Sequence, residues 1–245
     1  MTADAPQLPG LSDVDTAATP SHKGHRERLR ERFLKAPDAL PDYEILEMLL
    51  ASGIPQKDVK PLAKALIQRF GSFADVISAD LDHLTAFPAQ EGAKVSAAAA
   101  ATLKVVRQAA IRLARAPIIK SSVISSWDAL LDYCRTAMTT LPTEQFRLLF
   151  LDRKNVLIAD EVQQTGTVDH TPLYPREVVK RALELHASAI IMVHNHPSGD
   201  PKPSRADIDM TRTVRDALAA VGIGLHDHVV VGRKGHASFK AMGIL

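Results

Sequence analysis

The sequence predicts two unlike parts, an all-helical N-terminal half and a C-terminal domain of the mixed α/β class. Apolar residues recur at helical spacing between residues 25 and 115, whereas short strand-like apolar runs follow Pro117. Of the 245 residues, 46% are apolar and 24% are charged, close to the average for globular proteins. This composition excludes a wholly disordered or collagen-like chain and allows one large domain or two ordinary ones.

Single features of the chain exclude further classes of protein. Cys134 is the only cysteine, which rules out an internal disulfide and a cysteine-rich zinc site. The apolar run 189–193 is far shorter than a membrane span. Residues 1–20 contain aspartates and prolines but no basic residue, unlike a signal peptide. We therefore expect a cytoplasmic protein without membrane contact.

The N-terminal half divides into a tail and a series of helices. Residues 1–21 lack periodicity and predict a disordered tail. A helix from His25 ends before Pro37, and Asp42 is expected to be the N-cap of the next helix. The remaining helices of this domain, which spans residues 22–118, are predicted at residues 43–51, 61–70, 73–78, 80–86 and 93–115.

The C-terminal domain is expected over residues 123–245. Its strands are short apolar runs bounded by turn residues, and its helices are amphipathic. The run 189–193 is entirely apolar, which is typical of a strand buried on both faces. Strands are predicted at 145–151, 156–162, 189–193, 228–231 and 237–239, and helices at 175–186 and 204–221.

One stretch of this domain has residues suited to chemistry. His194 and His196 are two residues apart at the end of a predicted strand, so their imidazoles point to the same side. Asp207 falls in the first turn of the following helix, and the loop between folds it back towards the histidines. Two neutral imidazoles and a carboxylate suit Zn²⁺ and leave a fourth position for water. We expect one zinc ion per chain at these residues.

Each residue also has a purely structural interpretation. A histidine at a strand end is often a surface residue, and Ser204 with Asp207 fits a helix N-cap followed by an acidic first turn. Residues 194–196 spell the name of the HNH nucleases, but those take their letters from a longer ββα unit. The combination at this spacing favours the metal site.

The spacing His194-x-His196, seven residues, Ser204, two residues, Asp207 resembles the JAMM (MPN-plus) metalloprotease motif at every position. The surrounding segment His-Asn-His-Pro-Ser-Gly-Asp-Pro is similar to the signature of the bacterial RadC-like (UPF0758) branch. The resemblance covers residues 122–245 and, more loosely, the helical half. Flanking segments are RadC-like too, at residues 150–155, 174–179 and 227–228.

This resemblance implies an MPN/JAMM domain, a mixed sheet flanked by helices, with zinc at one sheet edge. It implies His194, His196 and Asp207 as the zinc ligands. It also implies that Ser204 hydrogen-bonds the water or the developing oxyanion.

The resemblance further implies a glutamate on or before an early strand as general base. Glu144 directly precedes the first predicted strand and matches this position. Glu161 on the second strand and Glu184 in a helix are the alternatives. Glu184 lies beside two basic residues, which favours a solvated or paired role for it.

Two further histidines, His226 and His228, suggest a second metal. A histidine near a strand is more often packed in the core, or it hydrogen-bonds to a metal ligand without binding the metal itself. We therefore leave both out of the ligand set. Asp227 is the expected outer acceptor for a ligating imidazole.

The helical half is similar to the helix-hairpin-helix DNA-binding domains of this family. It has two basic stretches, 21–35 with six cations against two glutamates and 93–116 with five cations and no acid. The hairpin of such domains presents backbone N–H groups to phosphate through a Gly-x-Gly turn. The corresponding segment, 86–92, has only Gly92 and adds Glu91. We expect at most a weak, non-specific DNA contact.

Two functions follow from these observations. The first is a zinc metallohydrolase that cleaves a peptide or isopeptide bond, with Glu144 moving the proton and Ser204 steadying the tetrahedral oxygen. The second is a DNA-associated accessory protein with a structural or vestigial metal site. Because every motif position is filled while the hairpin turn is degraded, the sequence favours the hydrolase.

Overall fold

A computed structural model describes residues 22–119, 121–165 and 173–245. Within these ranges the chain forms nine α-helices and a five-stranded sheet. Helices make up the N-terminal half, and the C-terminal half is mixed α/β, which confirms the predicted fold class. The predicted tail at residues 1–21 lies outside the described residues.

The N-terminal helices enclose one apolar core. It is formed mainly by leucines of the second and third helices and alanines of the sixth, among them Leu46, Leu62 and Ala99, all fully buried. The helices are α1 (His22–Lys35), α2 (Asp42–Gly53), α3 (Lys60–Phe70), α4 (Phe73–Ser78), α5 (Leu81–Thr85) and α6 (Ala97–Arg115).

Several predicted helix starts are wrong. Helix α1 begins at His22 rather than at His25. Pro41 is the N-cap of α2, and Asp42 is its first residue, where its carboxylate accepts a hydrogen bond from the backbone of Phe73 at 3.3 Å. Helix α6 begins at Ala97 rather than at residue 93, because Ser96 caps it: its hydroxyl accepts from Ala99 N at 3.1 Å. The preceding residues 90–93 form an isolated antiparallel bridge instead of a helical turn.

Helices α2 and α6 cross in close contact at Gly53. A Cβ at this position would lie 2.3 Å from the backbone nitrogen of Ala99, so no larger residue fits without moving a helix. The Ser96 hydroxyl also donates to the Gly53 carbonyl at 2.9 Å, which joins the end of α2 to the start of α6.

The sheet of the C-terminal half has the strand order β2-β1-β3-β4-β5. The pair β3 and β4 is parallel and the other pairs are antiparallel. Three helices accompany it: α7 (Trp127–Met138), α8 (Pro175–Glu184) and α9 (Arg205–Ala219). The strands are β1 (Gln145–Leu151), β2 (Leu157–Thr165), β3 (Ala189–Asn195), β4 (Gly224–Gly232) and β5 (Gly235–Ser238).

Side chains of the central strand β3 are buried on both faces, as predicted for an entirely apolar run. Alternate residues, such as Ile191 and Val193, pack with α7 in one core. The others, such as Ile190 and Met192, pack with α8 and α9 in a second core. Cys134 of α7 belongs to the first core, and its burial raises the pKa of its thiol to about 12.

The structure adds one α-helix and lengthens several strands relative to the sequence prediction. Helix α7 was not predicted, and β4 begins at Gly224 rather than at residue 228. Strand β2 continues to Thr165 rather than 162, β3 continues to Asn195 rather than 193, and β5 begins at Gly235 rather than 237. Among the described residues, no helix combines the length and the apolar character that a bilayer crossing requires.

Candidate metal centre

The candidate centre lies at the C-terminal end of β3. His194 is the penultimate residue of this strand and is fully buried, and His196 follows the strand directly. The alternation of side chains brings the two rings together, with 3.0 Å between their Nε2 atoms. Because β3 is the central strand, the centre lies at the strand ends and not beside an outer strand.

Asp207 reaches the same point from the first turn of α9. A capping box fixes this turn: the Ser204 hydroxyl accepts from Asp207 N at 3.1 Å, and the Asp207 carboxylate accepts from Ser204 N at 2.7 Å. The Ser204 hydroxyl also donates to the same Asp207 Oδ2 at 2.7 Å. Ser204 therefore acts as the N-cap and holds the Asp207 carboxylate in place.

The three side chains fit a metal ion. One ligand atom from each of His194, His196 and Asp207 lies within 4.8 Å of the others. The Nε2 atoms of His194 and His196 are 3.4 Å and 3.5 Å from the nearest Asp207 oxygen. Neighbouring ligands of a tetrahedral zinc are about 3.3 Å apart, given zinc–ligand bonds of about 2.0–2.1 Å. The donor set and its spacing are therefore compatible with a bound metal ion such as Zn²⁺.

A chain of hydrogen bonds fixes the tautomer of His194. The Thr211 hydroxyl donates to the Asp207 backbone carbonyl at 2.5 Å, so it accepts from Nδ1–H of His228 at 2.6 Å. The Nε2 of His228 is then unprotonated and accepts from Nδ1–H of His194 at 2.8 Å. This leaves the lone pair of His194 Nε2 directed at the other ligands, as metal binding requires.

The hydrogen bonds from Thr211 through His228 to His194 form a relay. Aromatic rings surround this relay and make its environment apolar. Phe146 stacks on His194 with 4.7 Å between ring centroids, and Phe239 lies 4.5 Å from His228. Burial lowers the pKa of His194 to about 3 and that of His228 well below its usual value. Both rings are therefore neutral, which is the state that ligates metal.

His196 and Asp207 interact directly, with 3.5 Å between His196 Nε2 and the nearest Asp207 oxygen. The interaction with Asp207 is the largest cause of a raised pKa for His196, which is half-buried. Burial would raise the pKa of Asp207, but His196, His194 and Ser204 together outweigh it and hold that pKa well below its usual value. A cation that replaces the His196 proton meets an ionised carboxylate.

Glu144 directly precedes β1. Its charge contributes to the raised pKa of His196, after larger contributions from Asp207 and the Asp200 backbone. Asn195 holds this segment on both sides of Glu144: its amide donates to Thr143 O at 3.0 Å and accepts from Gln145 N at 2.9 Å. The fully buried Asn195 therefore ties the segment around Glu144 to the end of β3, between His194 and His196.

The two alternative general bases, Glu161 and Glu184, form ion pairs with an arginine of α8. Glu161 on β2 accepts from Arg181 Nε at 2.8 Å, which lowers the pKa of Glu161. Glu184 accepts from the same guanidinium at 2.9 Å. Both carboxylates thus pair with Arg181 of α8.

The expectation for Asp227 is wrong. Its carboxylate accepts from the backbone nitrogens of His228 and Lys240 and from the Ser238 hydroxyl, so it anchors the turn after β5. Thr211 and His228 provide the outer contact of the ligating imidazole instead. His226 hydrogen-bonds to Asn155 at 2.6 Å and is neither one of the candidate ligands nor a partner of His194.

Sequence reasoning did not identify Thr211 or Asn195 and gave His228 no partner. Thr211 could have been found, because it follows Asp207 by four residues and so lies on the same face of α9. The contact between His228 and His194 depends on the pairing of β3 with β4, in which His228 lies opposite Met192. A single sequence does not give this register.

Comparison with known proteins agrees with the geometry. Residues 124–244 match the family described as the RadC-like JAB domain, and residues 21–96 match the family described as UPF0758 N-terminal. A UPF0758 protein of Ruegeria pomeroyi is 55% identical over 224 residues, which are 91% of this chain and 98% of that protein. A UPF0758 protein of Rhodobacter capsulatus is 58% identical over 218 residues, 89% of this chain and all of that protein. The resemblance inferred from the motif is confirmed, and the chain belongs to the UPF0758 family, with a RadC-like JAB domain in its C-terminal half.

Proposed function

We propose that this protein is a zinc-dependent metallohydrolase that cleaves a peptide or isopeptide bond. The supporting observation is the convergence of His194, His196 and Asp207 within 4.8 Å in a JAB domain. Within the described residues this set offers three protein ligands. Structural zinc sites use four, whereas catalytic sites use three and keep one position open.

His194, His196 and Asp207 would hold one zinc ion per chain. When bound, zinc lowers the pKa of a coordinated water to about 7 and polarises a substrate carbonyl. The relay through His228 keeps His194 in the tautomer that ligates, and the capping box keeps the Asp207 carboxylate facing both histidines.

Glu144 is the proposed general base. It would take a proton from the attacking water as general base and deliver it to the nitrogen of the leaving amine as general acid. Two observations support this role: the charge of Glu144 contributes to the raised pKa of His196, and Asn195 bonds to the residues on both sides of Glu144. Glu161 and Glu184 are less suited, because Arg181 binds both.

Ser204 is the proposed hydrogen-bond donor to the tetrahedral oxygen. Its hydroxyl has a single hydrogen, which here is donated to Asp207. Donation to a substrate oxygen therefore requires the hydroxyl to rotate away from the carboxylate, while the Ser204 backbone N–H keeps Asp207 in place.

The hydrolase is favoured over a DNA-associated protein with a vestigial site. A vestigial site gives no reason to keep two imidazoles and a carboxylate directed at one point, with one ligand atom of each within 4.8 Å of the others.

The test compares zinc-loaded wild type with Glu144→Gln on a library of peptides and lysine-isopeptides, with new termini detected by mass spectrometry. We expect the variant to keep its zinc and to lose about 10²–10⁴-fold in rate. Glu177→Gln, at an exposed glutamate of α8, is the matched control and should be fully active. No cleavage by zinc-loaded wild type, or an active Glu144→Gln beside an inactive Glu161→Gln, would contradict the proposal.

A further inference from the structure

A polar cavity lies on the opposite face of the sheet from the candidate metal centre. It has a volume of about 430 Å³ and is enclosed by α6, α7 and the first two strands. Arg147 of β1 projects into it from the α7 side, as its hydrogen bond to the α7 residue Tyr133 shows. His194, paired next to this position on β3, packs on the α8–α9 side. The two sites are thus separated by the sheet.

Four arginines line this cavity, with Asp160 as the one carboxylate among its described lining residues. Arg107, Arg112 and Arg115 come from α6 and Arg147 comes from β1. Asp160 accepts from Arg147 at 2.6 Å and from the Tyr133 hydroxyl, and lies 3.6 Å from Arg115 Nε. One carboxylate therefore faces four guanidinium groups, which leaves a charge of +3.

Part of this positive charge has no counterpart within the described chain. The Nε atoms of Arg115 and Arg147 are buried and have no hydrogen-bond partner among the described residues. The guanidinium of Arg107 donates hydrogen bonds to neutral groups, the Ser78 hydroxyl and the Ala137 carbonyl, both at 3.1 Å. Burial, together with the charge of Arg147, lowers the pKa of Arg107. Unpaired buried donors of charged groups are costly, so a site of this kind favours an anionic occupant.

We propose that this arginine cavity binds a small phosphorylated molecule of about mononucleotide size. Guanidinium groups match the oxygens of phosphate with paired donors, and a charge of +3 balances a diphosphate ester. The volume lies in the range of small-molecule sites, about 300–1,000 Å³. Apolar side chains of α6 and α7 also line the cavity, and these suit the part of the ligand that is not phosphate.

Duplex DNA fits this cavity less well than a small molecule. The side chain of Arg147 is only 15% exposed, so it lies too deep for the phosphates of a duplex lying on the surface. DNA also presents its charges along a line, whereas these guanidinium groups converge on one concave space.

The experiment uses the full-length, chelator-treated protein, so that no metal binds the phosphates. Adenosine diphosphate, inorganic pyrophosphate, adenosine and a DNA duplex are titrated by calorimetry. We expect saturable binding of adenosine diphosphate and of pyrophosphate, and none of adenosine. In ¹⁵N-resolved spectra, the Nε–H resonances of Arg115 and Arg147 should shift on addition of adenosine diphosphate.

Arg112→Gln should weaken adenosine diphosphate binding about tenfold or more, since it removes a charged donor. Arg112 is exposed and lies outside the apolar cores, so this variant should fold. Arg135→Gln, at an exposed arginine of α7 outside the cavity, removes the same charge and should bind as wild type. Absence of saturable binding, equal loss in both variants, binding of pyrophosphate but not adenosine diphosphate, or tighter binding of the duplex would each overturn the proposal.

Discussion

At the scale of single residues, the tautomer of His194 depends on the hydrogen-bond partner of its Nδ1 atom. With His228 as acceptor, the proton stays on Nδ1 and Nε2 is available to a metal. With no acceptor, a buried N–H is left unsatisfied and the preference for this tautomer is lost. His228 is therefore a positioning residue of the candidate centre.

We predict that His228→Phe lowers zinc affinity by about 10–100-fold, the usual effect of losing an outer partner of a ligand. Phenylalanine keeps the ring packing between Phe146 and Phe239 but removes the acceptor. Competition titration with a chelating dye measures the change. His226→Phe, on the same strand, is the control and should bind zinc normally, whereas unchanged affinity in His228→Phe would contradict the relay.

The buried imidazoles also predict how the metal-free protein responds to acid. His194 and His228 have lowered pKa values when folded and take up protons near pH 6.5 when unfolded. The unfolded state therefore binds more protons below pH 6.5, so the free energy of unfolding falls as the pH decreases from 7 to 5. The slope is up to about 1.4 kcal/mol per pH unit for each imidazole. His196, whose pKa is raised, offsets part of this loss.

Urea denaturation of chelator-treated protein at pH 7 and pH 5 measures this effect. His228→Phe removes one of the two buried imidazoles and should show a shallower dependence on pH. Equal free energies of unfolding at both pH values in wild type would mean that the rings are not held neutral in the folded protein.

At the scale of elements, the start of α9 determines where Asp207 points. Ser204 caps this helix with the same contacts that Ser72 makes in α4: each hydroxyl accepts from the aspartate backbone at 3.1 Å and donates to its carboxylate at 2.7 Å. The two Ser-x-x-Asp turns differ in surroundings, because only Asp207 faces the two histidines.

We predict that Ser204→Ala and Ser72→Ala each lower the free energy of unfolding by about 1 kcal/mol, the usual cost of losing an N-cap. Only Ser204→Ala should also slow hydrolysis, because only Ser204 adjoins the proposed reaction centre. Denaturation and rate measurements on both variants separate the two effects. Equal rates in both variants would reduce Ser204 to a helix cap.

The sequence predicted most elements but not their exact ends. The all-apolar run of β3 and the Ser204 cap of α9 are strong local signals, and both are confirmed. Helix α7 was missed although Leu130, Tyr133, Cys134 and Ala137 follow helical spacing, since Tyr, Cys and Thr are weak helix formers. Strand β4 starts earlier than predicted because its polar first half is held by pairing with β3, which is a tertiary effect.

The candidate site likewise has residues that the sequence alone identified and residues that it did not. His194, His196 and Asp207 are close in sequence and have a recognisable spacing, so they could be named from the chain alone. His228 contacts His194 from β4, and Glu144 precedes β1, so both depend on the pairing of the sheet. Their contacts become visible only once the register is known.

At the scale of the whole molecule, α6 connects the two halves. Its first turns pack in the N-terminal core, while Ile111 and Ala114 near its end pack against the core that contains α7. Its cations are partly used inside the protein: Lys104 donates to the Ile77 and Ala79 carbonyls, and Arg107 bonds to Ser78 and Ala137. This helix therefore offers less basic surface than its sequence suggests.

We accordingly predict weak DNA binding by the full-length protein, with a Kd of about 10⁻⁴–10⁻⁶ M at physiological salt. Arg26 of α1 is also occupied, by the carbonyls of residues 54, 55 and 57. Fluorescence anisotropy with several duplexes at increasing salt should show a steep loss of affinity and no sequence preference. Nanomolar or sequence-selective binding would instead support the DNA-associated alternative.

The most direct test of the metal centre is the zinc content of the purified protein, measured by mass spectrometry of the metal. Wild type should contain about one zinc per chain, and Asp207→Asn should lose most of it, because two imidazoles alone seldom hold a catalytic zinc. Asp209→Asn, two residues further along α9 and 62% exposed, makes the same change outside the centre and should keep its zinc. Full zinc occupancy in Asp207→Asn, or none in wild type, would contradict the assignment of His194, His196 and Asp207 as a zinc site.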